Sequence, residues 1–186
     1  MENGMLATAV TAIAATYLLG GLIALAPRKA GYSHIKHSIS EIGEVGAPDQ
    51  RFVAFGLFLP IGLILLLVAG LAHPVSSVAA ALALCIAIGY IGAAAFPCDR
   101  SSPLLGTARQ ALHNVAGAVE YVGGGFALMT LAETFGQPFK AAGFIVLGTA
   151  IALSVLPANS VRGVIQRVAE ACLFGGLALI LWRLGA

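Results

Sequence analysis

The sequence predicts an all-α polytopic membrane protein: one domain over residues 1–186, a six-transmembrane-helix bundle with a short amphipathic interfacial helix in its first connection. Three observations predict it. Hydrophobic residues make up 59% of the chain and charged residues 10%, with a mean hydropathy of +0.95. A soluble domain carries about 25% charged residues, so this chain has too few polar groups to cover a water-facing surface. Six apolar runs fall at roughly 5–26, 52–72, 75–96, 108–132, 139–156 and 161–182, each near the ~20 residues that cross a bilayer. Prolines and basic residues gather at one set of run ends.

Each run carries its own start or stop signal. The amino end through Gly4 lacks a positive lead-in, and the first run is longer than a leader's apolar core, so it is expected to remain as a span. It stops at Pro27, because proline cannot continue a helix without losing a hydrogen bond. Pro48 and Asp49 suit a first helical turn and open the second run. The third stops at Pro97. Thr107, with Gln110 three residues later, is a capping-box pattern that opens the fourth. The fifth stops at Pro157, and Gln166-Arg167 marks entry into the sixth. Glycines cluster as Gly20-Gly21, Gly123-Gly124-Gly125 and Gly175-Gly176, which suits close helix packing in lipid. Cys85, Cys98 and Cys172 have no metal or redox spacing and read as small apolar fillers.

Charge sets the expected orientation. With six spans, Arg28, Lys29, Lys36, Arg51, Arg100, Arg109, Arg162 and Arg167 share one side, and only Lys140 and Arg183 lie on the other. The positive-inside rule puts the basic side of this multi-pass chain in the cytoplasm and both termini outside. A net charge of +2 gives no basis for nucleic acid as a partner. Membrane lipids are the expected partners, together with a second copy or another membrane subunit.

The first connection is patterned. Ile35, Ile39 and Ile42 recur at i, i+4 and i+7, and His34, His37 and Glu41 recur on a second face. Ser33 would cap this helix and Gly43 would end it. Two histidines and a carboxylate on one stripe suit metal ligation or acid–base chemistry, or else a solvated face at the headgroup boundary. No zinc signature accompanies them.

Glu120 is the residue that demands an explanation. It stands about ten residues inside an apolar run, roughly 15 Å from its start and near the middle of a ~30 Å hydrocarbon core. A carboxylate there costs on the order of 2.5–3.5 kcal/mol by insertion scales, so a partner, a proton or a function must offset it. His113 lies seven residues earlier on the same face, next to Asn114. Cys98-Asp99-Arg100 and Arg109 reach the same side. Glu170 is either a second intramembrane carboxyl or a partner of Arg167 three residues before it.

Tyr32-Ser33-His34, Ile39-Ser40-Glu41-Ile42-Gly43, Gly92 through Phe96-Pro97-Cys98-Asp99, and His113 followed by Glu120-Tyr121 resemble, in that order, the domain-of-unknown-function 998 family. The resemblance covers nearly the whole chain. It implies six spans in a bacterial plasma membrane or an intracellular membrane, and brings no activity with it.

The expected site is a polar pocket beneath the basic face that binds a small ligand or lipid headgroup. Ser33, His34, His37, Glu41, Asp99, Arg100, Arg109 and Tyr121 would bind, with Glu120 or His113 as general base and a metal or arginine stabilising negative charge should the pocket be catalytic. A divalent metal would draw on His34, His37, Asp99 and His113. Haem is not expected, because His73 falls at the opposite membrane face from His113. The alternatives are a metal-dependent or acid–base enzyme acting on a lipid, a proton-coupled transporter, or an accessory subunit of a membrane complex.

Overall fold

A computed structural model describes residues 2–158 and 160–185, and among these the chain is helix and loop without a strand. Helix α1 covers Glu2–Leu25 and tightens into a 3-10 turn over Ala26–Arg28. The others are α2 (Gln50–Ala72), α3 (Ser77–Ala95), α4 (Ala108–Phe135), α5 (Phe139–Val155) and α6 (Arg162–Gly185). All but α5 are long and apolar enough to cross a membrane. The fifth apolar run does form a helix, but its 17 residues rise about 25 Å against a hydrocarbon core of about 30 Å. The helices therefore provide five full-length spans and one shorter element, where six spans were expected.

Sequence neighbours pack as spatial neighbours, α6 closes the ring along α1, and α3 also touches α6 across the middle. Two glycines make the closing contact, since a Cβ on Gly4 would lie 2.7 Å from the Cα of Gly185. The start of α1 and the end of α6 thus share one end of the bundle. Leu57, Ile61, Leu65, Leu82, Ile86, Leu128, Leu173 and Leu177 fill the interior. Ile23, Phe55, Phe126, Phe144 and Trp182 stand exposed around the outside, as a lipid-facing surface requires.

Two helices are locally widened by π turns, at Val53–Phe58 in α2 and Val119–Gly123 in α4. Pro60 explains part of the first. Its ring nitrogen cannot donate to the carbonyl four residues back, and that carbonyl, on Gly56, accepts the Tyr17 hydroxyl of α1 instead. The second runs into the glycine triplet. Cβ atoms on Gly123, Gly124 and Gly125 would each come within 2.7 Å of Cys85 of α3, Leu173 of α6 and Leu147 of α5 respectively. Three neighbours reach the α4 backbone at consecutive residues.

The interfacial helix expected over Ser33–Gly43 does not form. The segment makes a turn at residues 34–36 and a separate 3-10 turn at Ser40–Gly43. Tertiary hydrogen bonds outcompete the helix. The carbonyls of His34 and His37 accept from Arg167, and the Ile35 carbonyl accepts the free Val164 N–H at the start of α6. Ile39 and Ile42 are buried in the bundle, and only Ile35 of the three isoleucines is exposed. Gly163 makes this seat possible, because the carbonyls of His34, Ile35 and His37 occupy the space a Cβ would need.

Replacing Gly163 by valine should therefore lower the thermal unfolding temperature in detergent, with a loss of about 1–3 kcal/mol from overpacking against backbone. Gly175→Val, where a Cβ meets nothing within 4 Å, should leave the melting curve unchanged.

Candidate functional site

The polar side chains collect at the other end of the bundle, around one stripe of α6. Arg162, Gln166 and Glu170 recur at i, i+4 and i+8, so they stack on one face and step inward by about 6 Å each. All three are buried. Glu170 accepts hydrogen bonds at both oxygens, from the Tyr121 hydroxyl of α4 at 2.7 Å and the Tyr90 hydroxyl of α3 at 3.0 Å. The Tyr90 ring is held edge-on between Phe58 and Phe174, with centroids 5.7 and 6.0 Å away. Gln166 donates to the Tyr121 oxygen at 2.8 Å and accepts the Ile39 N–H at 2.6 Å. A continuous chain of hydrogen bonds thus links the first connection to the bundle interior.

Glu120 belongs to this cluster. The π turn presents it beside Glu170 and over Gly89, whose missing side chain leaves room for the carboxyl group. Its Oε1 is buried without a hydrogen-bond partner. The two glutamates come from different helices. Glu170 does not pair with Arg167, whose guanidinium is spent on the first connection.

A cavity of ≈ 610 Å³ opens beside these groups. Gly89, His113, Glu120, Tyr121, Arg162 and Gln166 line its inner wall, and Ser38, Ser40 and Ser102 its mouth. Its outer wall is apolar and comes from α4 and α5, where Val115, Ile151 and Val155 are also exposed on the protein's outside. The cavity therefore runs from a polar interior to the lipid-facing surface. His113 has Nδ1 at 2.9 Å from the Phe96 carbonyl; a carbonyl only accepts, so Nδ1 carries the proton and Nε2 is the acceptor. Arg162 donates to the carbonyls of Ser101 and Ser102 at 3.2 and 3.0 Å, while its buried Nε has no partner. Both serines have positive φ, 65° and 43°, an uncommon state for non-glycine residues that Arg162 helps to hold.

The expected site residues divide between this cavity and its supports. Glu120, Tyr121 and His113 line it; Ser33, His34, His37, Glu41, Asp99, Arg100 and Arg109 do not. The Glu41 carboxylate accepts the Ser38 N–H at 2.8 Å, and the Ser38 Oγ accepts the Glu41 N–H, which closes the 3-10 turn. Asp99 braces the start of α4: it accepts from the N–H and hydroxyl of the N-cap residue Thr107 and from Arg109 at 2.7 Å. The Thr107 amide, then Arg109, holds its carboxyl below the usual range. Gln110 turns to the Asp99 N–H, so only the Thr107 half of the capping box forms. Arg100 is exposed.

His34 accepts Arg167 at Nδ1, 2.9 Å away, and burial followed by the Arg167 charge lowers its pKa. Ser33 donates its N–H to His37 Nδ1, and Tyr32 stacks on the His37 ring at 5.5 Å while accepting Arg167 at its hydroxyl. Among the described residues, no three His, Cys, Asp or Glu side chains gather where a metal could sit. His34, His37, Asp99 and His113 stand in three separate hydrogen-bond groups. Arg162 and Gln166 line the cavity and Tyr90 joins the Glu170 cluster, and the expected set lacks all three. The four-residue spacing that ends at Glu170 is the signal that finds the first two.

Cys98 joins the first and third connections at the mouth. Its Sγ donates to the Ser40 carbonyl and its own carbonyl accepts the Val45 N–H. Burial pushes its thiol up to about 12. With Cys85 and Cys172 replaced by alanine, Cys98 should resist iodoacetamide at pH 8 in the folded protein and alkylate readily once unfolded. Fast labelling of folded protein would mean that the mouth is open.

No curated protein and no solved structure matches this chain. The family model described as "Protein of unknown function (DUF998)" matches residues 6–183, nearly the whole length, and the chain belongs to that family.

Proposed function

We propose that this protein is a multi-pass membrane protein whose α3–α4–α6 cavity binds a polar or amphipathic ligand, a small molecule or a lipid headgroup, taken up from the membrane. One observation carries the reading. Glu120 Oε1 and Arg162 Nε are buried polar atoms without partners, and both residues line the same cavity. Leaving such a group unsatisfied costs about 1–3 kcal/mol, more when it is charged, and native structures keep few of them, so two in residues of one cavity favour a ligand there.

The contact between Gly4 and Gly185 at one end of the bundle supports an even number of crossings, with the short α5 as the sixth. Its shortness favours a thinned or water-accessible membrane beside the cavity it walls. The end that carries Arg28, Lys29, Arg100, Arg109, Arg162 and Arg167 then faces the cytoplasm, and the cavity opens near that leaflet.

Gly117 lines the cavity, and a Cβ there meets nothing within 4 Å. A Gly117→Leu variant should fold with an unchanged circular dichroism spectrum while the cavity is filled. Mass spectrometry of the purified wild type should find a co-purifying small molecule or lipid at near-stoichiometric amount, reduced severalfold in the variant. Equal retention by both proteins would place the ligand elsewhere and refute the reading.

A further inference from the structure

The two unpartnered groups are opposite in kind, and their opposition names a ligand. Arg162 is a buried cation, and none of its hydrogen bonds goes to a carboxylate: both arms of its fork are on neutral carbonyls. It makes no ion pair among the described residues. Glu120 is a buried carboxyl beside a second carboxyl, and its free Oε1 accepts from nothing. The hydroxyls of Tyr90 and Tyr121 satisfy Glu170 and bring no charge. The inner wall of the cavity thus carries a cationic donor without an acceptor at Arg162 and a carboxyl oxygen without a donor at Glu120. A single molecule that carries both would satisfy the pair.

We infer that the ligand is a phospholipid with a primary amine in its headgroup. Its phosphate sits against Arg162 Nε near the mouth, and its ammonium donates to Glu120 Oε1 deeper in. This rests on the cavity being a ligand site, as proposed above. The apolar outer wall selects a lipid over a free zwitterion: acyl chains leave between α4 and α5, past Val115, Ile151 and Val155. A guanidinium suits phosphate because it donates in a fixed plane. A quaternary ammonium has no N–H, so choline headgroups lack the donor that Glu120 needs, and glycerol headgroups lack the cation.

The test uses full-length protein, purified in detergent and stripped of lipid, and titrated with short-chain phosphatidylethanolamine, phosphatidylcholine and phosphatidylglycerol and with soluble phosphoethanolamine. Native mass spectrometry reads occupancy, and thermal shift reads stabilisation. Phosphatidylethanolamine should bind roughly tenfold tighter than the other two lipids, the equivalent of about one charge-assisted hydrogen bond. Glu120→Gln should erase that preference, and Arg162→Gln should weaken all three lipids together. Equal binding of the three lipids by wild type overturns the assignment of the amine while leaving the cavity as a ligand site. Soluble phosphoethanolamine binding as tightly as the lipid overturns the lipid source. The wild-type preference requires no variant to fold. Absence of binding by every probe, with Gly117→Leu protein indistinguishable from wild type, would remove the cavity reading itself.

Discussion

Glu170 is a carboxyl group buried in an apolar bundle, and three helices are arranged to supply the hydrogen bonds it cannot obtain from water. Tyr90 brings α3 and Tyr121 brings α4, each through a hydroxyl that Glu170, on α6, accepts. Fixing Tyr121 fixes the turn that precedes it in space, and that turn carries Glu120. Gln166 then extends the arrangement to the Ile39 amide, so the first connection is anchored to the same group. In lipid, where helices do not associate by excluding water, such interhelical hydrogen bonds and close glycine contacts carry the specificity of packing. The bare backbone face of Gly89 leaves room for the Glu120 carboxyl group that the α4 π turn carries, beside Glu170 and at the cavity wall.

The mouth is built by a different logic. Its connections are ordered by backbone carbonyls turned towards guanidinium groups: Arg167 gathers His34 and His37, and Arg162 gathers Ser101 and Ser102. Lys29 adds an ion pair with Glu44 at 2.8 Å, and Glu44 in turn accepts the Ser101 N–H at 2.7 Å. The first and third connections therefore share partners. Histidines and carboxylates that pattern reading assigns to chemistry are spent on this framework. Glu120 and Arg162, which line the cavity, each retain a buried polar atom without a partner.

How much of this was legible in the sequence depended on range. Helices with strong apolar runs and proline stops were readable, because the signals at Pro27, Pro97 and Pro157 are local. Glu120 stood out because a carboxyl in an apolar run has an energetic cost wherever it points, and Glu170 for the same reason. The partners Glu170 takes were not readable: Arg167, the one candidate the spacing offers, is near in sequence, whereas Tyr90 and Tyr121 are 80 and 49 residues away. The first connection misled because its isoleucine spacing fits a helix, while the carbonyls that prevent one pair with Arg167 and Val164, far along the chain. A π turn leaves no mark in the hydrophobic period of a helix that is apolar on most faces. That is why the widening of α4 at Glu120 could not be foreseen.

The most direct test of the account is a double-mutant cycle between Tyr121→Phe and Glu170→Gln, read by reversible unfolding in mixed micelles. If the Tyr121 hydroxyl and the Glu170 carboxyl hold α4 and α6 together about the cavity, the two losses should fall short of additivity by about 1 kcal/mol, the upper range for interhelical hydrogen bonds in membranes. Strict additivity would mean that the two groups do not interact, and the arrangement that presents Glu120 to the cavity would have no support.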